Sequence, residues 1–456
     1  MELTNTTNGK QFKTSSNYAI PVIKLLIILL GSLHLGYTQV QINPPFAMPD
    51  VNIIQDGDKV YAFCGTDLEP YNFEINTFIM PYWRCYSSYD LINWKFESYL
   101  KPEDTWMGKS DKCFAGHGTK KGDKWYWYYS NYVKSTGVVV ADSPKGPWKD
   151  VLKKPLLPSD ISITKEYDAC AFTDDDGRSY LIYGAWVNKK ICYHIVELND
   201  DMVSLKGTPK KIEVNNVPEG HDYIAVDAPF MHKHNGLYYL SWRKPYAVSK
   251  KLEGPYEFVG LQDAKGHLGF FTFNNQWFVN YTSLKKGYRK RYRFASIAYV
   301  HFNDDGTIAK MEDLVKEHGV GQYDANWPFI EAEWFMAMPD GPVKKMQPGG
   351  GFEIQNLKSG DYLNFPNIHN CDSNVVVELT YSAANTSGEI IVKVEDESGP
   401  GYGRVEFQPT GSWDTYKTLS IPLDKNPPGT ISMSFVFESE NLKKELIRVD
   451  KFRIRY

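Results

Sequence analysis

Five times along this chain, a tight turn built on Gly or Asn leads directly into a strand crowded with aromatic residues. The segments are DGDKVYAFCG (Asp56 to Gly65), KGDKWYWYYS (Lys121 to Ser130), DGRSYLIYGA (Asp176 to Ala185), NGLYYLSW (Asn235 to Trp242) and NNQWFVNYTS (Asn274 to Ser283). Aromatic side chains suit strands, and Gly or Asn suits the turns that precede them. The copies lie roughly 40–65 residues apart, close to one propeller blade per copy. A second feature alternates with the first: SSYDLINW (Ser87 to Trp94), ADSPKGPW (Ala141 to Trp148) and, more weakly, YAVSKKLEGPYEF (Tyr246 to Phe258). Each reads as the outer hairpin of a blade. Helical periodicity is nearly absent. The pattern predicts an all-β chain with a five-bladed β-propeller over residues 39–327. A β-sandwich is the competing arrangement, but sandwiches space their turns about every 8–12 residues.

The pattern changes near Phe329. Beyond it come short alternating strands such as NVVVELTYSA, GEIIVKVEDE and TISMSFVFES, separated by Gly, Pro and Asn. This predicts a β-sandwich domain over residues 328–456.

At the other end, an apolar run from Ile20 to Leu35 is broken by Pro21 and Lys24. It is too short and interrupted to span a bilayer comfortably, and no stable membrane span is expected. It reads as the core of a secretory signal peptide over residues 1–38, with export to the periplasm, cell surface or medium as the consequence. An uncleaved anchor is the rival. The six cysteines are scattered, with no CxxC and no zinc-site spacing, and assign no disulfide. The net charge of -4 argues against a nucleic-acid partner. Aromatic residues make up 15% of the chain, which suits sugar-stacking platforms as well as sheet cores.

No phosphate-binding Gly loop, HExxH motif or GxSxG elbow appears. Carboxylates at strand starts are what remain. In a propeller the inner strands line a central channel, so residues at their starts converge although far apart in sequence. Asp50 in AMPDVNII, Asp168 in EYDACAF and Asp227 in AVDAPFM hold that position. Converging carboxylates suit glycoside hydrolysis, which needs one protonated group and one ionised group. An Asp at such a place is also a common strand-end cap. The run Asp174-Asp175-Asp176-Gly177 reads as a solvated turn rather than a metal loop.

These residues carry a resemblance to glycoside hydrolase family 43, five-bladed propeller enzymes acting on plant and algal polysaccharides. It rests on DACAFTDDDGRSYLIYG (Asp168 to Gly184), DAPFMHKHNGLYYLSW (Asp227 to Trp242), the blade turns above, GHLGFF (Gly266 to Phe271) and YRFASIAYVHFNDDGTI (Tyr292 to Ile308). The resemblance implies an exo-acting hydrolase of β-xylosides or α-L-arabinofuranosides. It makes Asp227 the general acid, Asp168 the group that tunes its pKa, and Asp50 the base. Two departures stand out. The acid position holds Asp227 rather than Glu, and the base position holds Met48, with Asp50 two residues on. Substrate-binding roles fall to Phe114 and His117, in FAGHGTKKGDKW, and to Arg293. His117 is also the acid under an alternative reading. His267, in GHLG, matches a histidine that helps hold a metal ion in relatives. The C-terminal region resembles a family 6 carbohydrate-binding module through IEAE (Ile330 to Glu333), GDYLNFPNI, TGSWDTYKT and VDKFRIRY. That resemblance implies calcium at Glu331, Glu333 and Asp450, and sugar stacking at Trp413 and Tyr416. The implied partner is a polysaccharide or oligosaccharide. A carbohydrate-binding protein without catalysis is the rival reading, and Met48 favours it.

Overall fold

The computed structural model describes residues 47–68, 77–188, 190–219, 227–284, 291–442 and 444–456. The expected signal peptide over residues 1–38 lies outside the described residues.

Five antiparallel sheets follow one another along the chain. Blade I holds β1 (Asn52–Asp56), β2 (Lys59–Cys64), β3 (Trp83–Ser88) and β4 (Lys95–Leu100). Blade II holds β5 (Cys113–Lys121), β6 (Lys124–Asn131) and β7 (Ser135–Ala141). Blade III holds β8 (Cys170–Thr173), β9 (Ser179–Val187), β10 (Lys190–Leu198) and β11 (Leu205–Lys211). In blade IV, β12 (Val214–Asn215) pairs in parallel with β16 (Tyr256–Leu261), outside β13 (Pro229–His234), β14 (Leu237–Trp242) and β15 (Pro245–Ser249). Blade V holds β17 (Gly269–Phe273), β18 (Gln276–Ser283) and β19 (Phe294–Tyr299). The innermost strands neighbour one another in the order β1, β5, β8, β13, β17, and β17 returns to β1. That closed ring is a five-bladed propeller.

Each of the five repeated segments contributes the second strand of one blade, β2, β6, β9, β14 or β18. The turn before it is the hairpin from the inner strand. His234 pairs with Leu237, leaving a two-residue loop in which Asn235 and Gly236 have φ of 47° and 78°. Positive φ at both loop residues matches the twist of the flanking strands, which is why Asn and Gly recur there. The aromatic excess is largely core: Trp83, Trp127, Trp242, Tyr86, Tyr129, Tyr183 and Tyr193 are almost wholly buried. Phe63 of blade I meets Trp127 of blade II edge to face at 4.9 Å, joining neighbouring blades. The run starting at Asp174 is a hairpin turn, and Asp174 receives Lys233 Nζ (2.6 Å) and Tyr238 Oη (2.6 Å). All six cysteines are buried free thiols.

After a short helix α1 (Asp313–His318) come the strands of the sandwich: β20 (Tyr323–Asp324), β21 (Ile330–Glu331), β22 (Val343–Met346), β23 (Phe352–Leu357), β24 (Tyr362–Cys371), β25 (Val376–Ser382), β26 (Gly388–Val394), β27 (Gly401–Phe407), β28 (Lys417–Pro422), β29 (Gly429–Glu438) and β30 (Ile447–Arg455). One sheet runs β20-β24-β29-β26-β27, the other β22-β23-β30-β25-β28, with β21 also on β30. Alternate residues of β25 point inward, as the period of two requires. Phe365, Phe435 and Phe452 meet between the sheets, with ring centroids 4.8–6.0 Å apart. Tyr323 and Asp324 already belong to a sandwich sheet, although alternation alone starts that domain at residue 328. A two-residue parallel pairing leaves no periodic signal. The two domains meet at a seam both apolar and polar, where His301 packs on Phe352 at 5.0 Å and one hydrophobic cluster includes Tyr299 and Met336. Gln276 Nε2 donates to the carbonyls of Glu333 (2.8 Å) and Phe335 (3.1 Å), and Lys344 Nζ donates to Gln276 Oε1 (2.7 Å) and the Val300 carbonyl (2.8 Å).

Candidate active site

The inner strands of four blades share one device. Asp50, Asp168, Asp227 and His267 each stand two residues before their strand, β1, β8, β13 and β17. The backbone turns sharply at three of these starts, with φ of 56° at Asp50, 53° at Asp168 and 58° at Ala228. Left-handed backbone costs about 1 kcal/mol per non-glycine residue. Its repetition at one end of the ring is the kind of stored strain that marks functional sites. In blade II the equivalent residue, Asp111, is exposed, pairs with Lys112 and does not line the cavity. There a bulge between Phe114 and Gly116 puts Phe114 and Ala115 on the wall instead.

The result is a cavity of about 510 Å³ lined by Asp50, Asp168, Asp227, Phe114, His267 and Arg293, among others. This is within the usual size range of small-molecule sites. Met48, at the position where the family resemblance expects a base, is 1% exposed and packs in the apolar core. Asp50 is the residue of that segment that reaches the cavity.

The charges are unevenly compensated. Arg293 Nη1 donates to Asp50 Oδ1 at 2.5 Å, and its Nε and Nη2 hold Asp67 bidentately at 2.9 and 3.0 Å. Burial works against the Arg293 charge, but the Asp50 and Asp67 carboxylates outweigh it and raise its pKa. These bonds tie blade V to blade I across the ring closure, with Asn280 Nδ2 donating to the Val51 carbonyl at 2.6 Å beside them. Arg293 is therefore committed to two carboxylates. Arg243 Nε and Nη2 both donate to Asp227 Oδ1, at 3.0 and 2.8 Å. Among the described residues, no cation bonds to Asp168 in this way. Burial first, then the neighbouring Asp227 and Asp50 charges, push its carboxyl well above the usual range. His267 Nδ1 is 3.7 Å from Asp50 Oδ1, and burial lowers its imidazole against the pull of Asp50 and Asp227.

His117 is not among the residues lining the cavity. Its Nε2 pairs with Asn52 Nδ2 at 3.2 Å, its ring packs against Phe230, and burial, with His267 nearby, lowers it to about 3. His117 thus sits buried beside the residues that line the cavity, paired with Asn52. Arg243 and Asp67 are the two site residues that the motifs do not reveal. Arg243 directly follows the aromatic strand β14, with φ of 56°, and Asp67 follows β2. Nothing in their local sequence separates them from surface charges.

Residues 43–308 match the model of glycosyl hydrolases family 43. The chain belongs to this family. It is a glycoside hydrolase. Residues 331–456 match the family 6 carbohydrate binding module. An arabinoxylan arabinofuranohydrolase of Paenibacillus polymyxa is 26% identical over 85% of this chain and 69% of its own length. Another from Bacillus subtilis is 25% identical over 89% of this chain and 90% of its own length. Among solved structures, a family 43 arabinoxylan arabinofuranohydrolase from Bacillus subtilis in complex with cellotetraose aligns with a TM-score of 0.53 at 20% identity, over 92% of this chain and 99% of that one. A family 43 β-xylosidase/α-arabinofuranosidase from a compost metagenome, in complex with xylotriose, aligns with a TM-score of 0.51 at 23% identity, over 59% of this chain and 96% of that one.

In the family 6 module, Glu331 and Glu333 are both raised, by burial first and by the nearby Asp450 in addition. Glu331 is pushed up to about 7, chiefly by burial, and Glu333 well above the usual range for the same reason. Glu333 Oε2 is buried without a hydrogen-bond partner, and Asp450 accepts a short bond from Gln347 Nε2. Crowded carboxylate oxygens with an orphaned buried atom suit calcium, which binds oxygen ligands. Among the described residues, however, no three His, Cys, Asp or Glu side chains stand in metal-binding geometry, around His267 or elsewhere. Tyr416 Oη donates to Glu353 Oε2 at 2.8 Å, and the Arg448 guanidinium lies 4.5 Å over the Trp413 ring. Both aromatics thus carry a polar partner on one side. No helix among the described residues is long and apolar enough to cross a membrane.

Proposed function

We propose that this family 43 enzyme removes terminal α-L-arabinofuranosyl or β-xylosyl residues from an arabinoxylan-type polysaccharide outside the cell. The carrying observation is that Asp50, Asp168 and Asp227, from three different blades, line one cavity. The names of the relatives support the sugar class, and the apolar run near the N-terminus supports export.

Hydrolysis needs a proton on the leaving oxygen and an activated water at the anomeric carbon. Asp50 is the base in this reading: it lines the cavity, and the Arg293 bond to its Oδ1 fixes its orientation. Asp168 and Asp227 supply the protonated partner and the charge that tunes it. The module holds the polymer near the cavity and raises the local substrate concentration. Calcium would be held there by Glu331, Glu333 and Asp450. It would neutralise their mutual repulsion, with no part in bond cleavage.

The test is hydrolysis of nitrophenyl glycosides and arabinoxylan oligosaccharides by wild type beside Asp50→Asn. Release of a single monosaccharide, lost in the variant, is expected. Release of none, with retained polysaccharide binding, would replace this reading with that of a binding protein.

A further inference from the structure

We infer that the cavity accepts a polysaccharide chain carrying an anionic substituent beside the sugar to be cleaved, and that Lys244 and Lys265 bind that anion at the rim. This rests on the glycosidase reading above and narrows its substrate class.

Cations outnumber carboxyls around the cavity. Arg243, Lys244, Lys265 and Arg293 line it together with Asp50, Asp168 and Asp227. The two arginines have partners, Asp227 for Arg243, and Asp50 with Asp67 for Arg293. Among the described residues, the two lysines make no ion pair. Both lysines are exposed, whereas Asp50 and Asp168 are buried. The lysines therefore stand at the mouth and these carboxyls toward the floor. In a chain of net charge -4 this surplus is local to the site.

Backbone pairing places both lysines in one sector of the rim. Lys244 lies in the turn between β14 and β15, and its carbonyl accepts the Gln262 N–H at 2.9 Å. Lys265 lies just beyond Gln262, in the connection from β16 to β17, and its carbonyl accepts the Thr282 N–H at 3.0 Å. Thr282 and the exposed Leu284 continue the same wall. Asp263, the acidic residue nearest Lys265 in sequence, is engaged elsewhere. Its Oδ2 accepts the Met311 N–H at 2.9 Å and lies 3.5 Å from Lys316 Nζ.

A neutral pentosan offers hydroxyls and ring oxygens, which need no full charge. Two unpaired ammonium groups in one sector suit an anion. Lysine presents a point charge rather than a fork, so a uronic acid carboxylate and a sulfate ester share the required chemistry. An anion on the floor would meet Asp50, Asp168 and Asp227. It therefore belongs outside the cleaved residue, on the part of the chain that is retained. Cations at the mouth of a cleft also concentrate anionic ligands, and salt screens this attraction.

The experiment gives the full chain two arabinoxylan oligosaccharides. One carries a glucuronosyl group on the xylose next to the arabinosylated one. The other is the same compound with that carboxyl reduced to an alcohol. A sulfated analogue forms a third arm. The readout is the ratio of kcat/KM for an acidic over the reduced substrate. At low salt it is expected to be about 2–30, the range of two exposed ion pairs, chiefly through a lower KM. It should fall toward unity at high salt in wild type, and at low salt in the Lys244→Gln/Lys265→Gln double variant. The ratio is internal to each preparation, so partial unfolding of the variant does not mimic the loss. An advantage for either anion supports the site, and the larger one names its source. A wild-type ratio near unity for both anions, or one that survives in the double variant, would overturn the proposal and leave the glycosidase reading intact. Wild type inactive on all three oligosaccharides and on nitrophenyl glycosides would overturn both.

Discussion

The propeller and the module both gather carboxylates, but they compensate them differently. In the propeller, Asp50 and Asp227 each have an arginine at 2.5–3.0 Å, and Asp67 shares one of them. In the module, among the described residues, Glu331 and Glu333 have Lys451 and Lys344 acting on them without an ion pair, and Glu333 Oε2 has no hydrogen-bond partner. The first arrangement fixes two carboxylates at the cavity wall with bonds from arginines, and burial raises the third, Asp168. The second leaves buried carboxyls whose protonated form burial favours. The domain that breaks and makes bonds carries its own counter-charges.

The comparison breaks most readily at Asp50. Asp50→Asn should lower kcat by about 10³-fold or more while the fold survives, because the base is gone and Arg293 retains Asp67. Steady-state kinetics with circular dichroism checks this, and near-wild-type turnover would remove Asp50 from the chemistry. Arg293→Met goes further structurally. It leaves Asp50 and Asp67 buried without a cation and cuts the tie from blade V to blade I. A loss of about 3–5 kcal/mol in denaturant unfolding is expected.

pH should move the two domains in opposite directions. In the propeller, burial lowers His117, to about 3, and His232. Groups with depressed pKa values contribute stability above the unfolded value near 6.5 that is lost as pH falls. Each contributes a slope of up to about 1.4 kcal/mol per pH unit, and His194, His234, His267 and His301 are lowered too, against raised carboxyls at Asp67, Glu166 and Asp168. In the module, Glu331 is raised to about 7. Its contribution is complete below pH 4.5 and is lost as pH rises through 7, a change of about 2 kcal/mol in calcium-free protein. Scanning calorimetry from pH 7 to 5 should show the propeller component falling and the module component rising. Calcium sharpens the same contrast. Added at a hundred times its dissociation constant, it should raise only the module component, by about 2.7 kcal/mol, and Glu333→Gln should remove the response. The smallest effect is expected at Trp413. Trp413→Ala should weaken polysaccharide binding about tenfold in affinity electrophoresis, leaving nitrophenyl glycoside hydrolysis unchanged.

Much of this molecule is legible without coordinates. The five turn-and-aromatic segments map one to one onto the second strands of the blades, because a hairpin turn and a buried strand each depend on residues a few positions apart. The three aspartates are legible for the same reason: each stands at a fixed offset before an apolar strand. Phe114 and Ala115 line the cavity at a bulge in β5 that no local pattern announces, while His117 of the same motif pairs with Asn52 beside them. Arg243 and Asp67 were invisible because a charged residue after a strand looks the same whether it meets water or a buried partner.

Local sequence therefore determined the blade repeat, the sandwich alternation and which carboxylates sit at strand starts. These follow from turn preferences and periodicity, which are properties of neighbours along the chain. Tertiary structure alone decided which carboxylate has a cation. Arg293 and Asp50 are 243 positions apart and meet only because the ring closes. A proton's place in the cavity depends on those distances, and no local pattern encodes them.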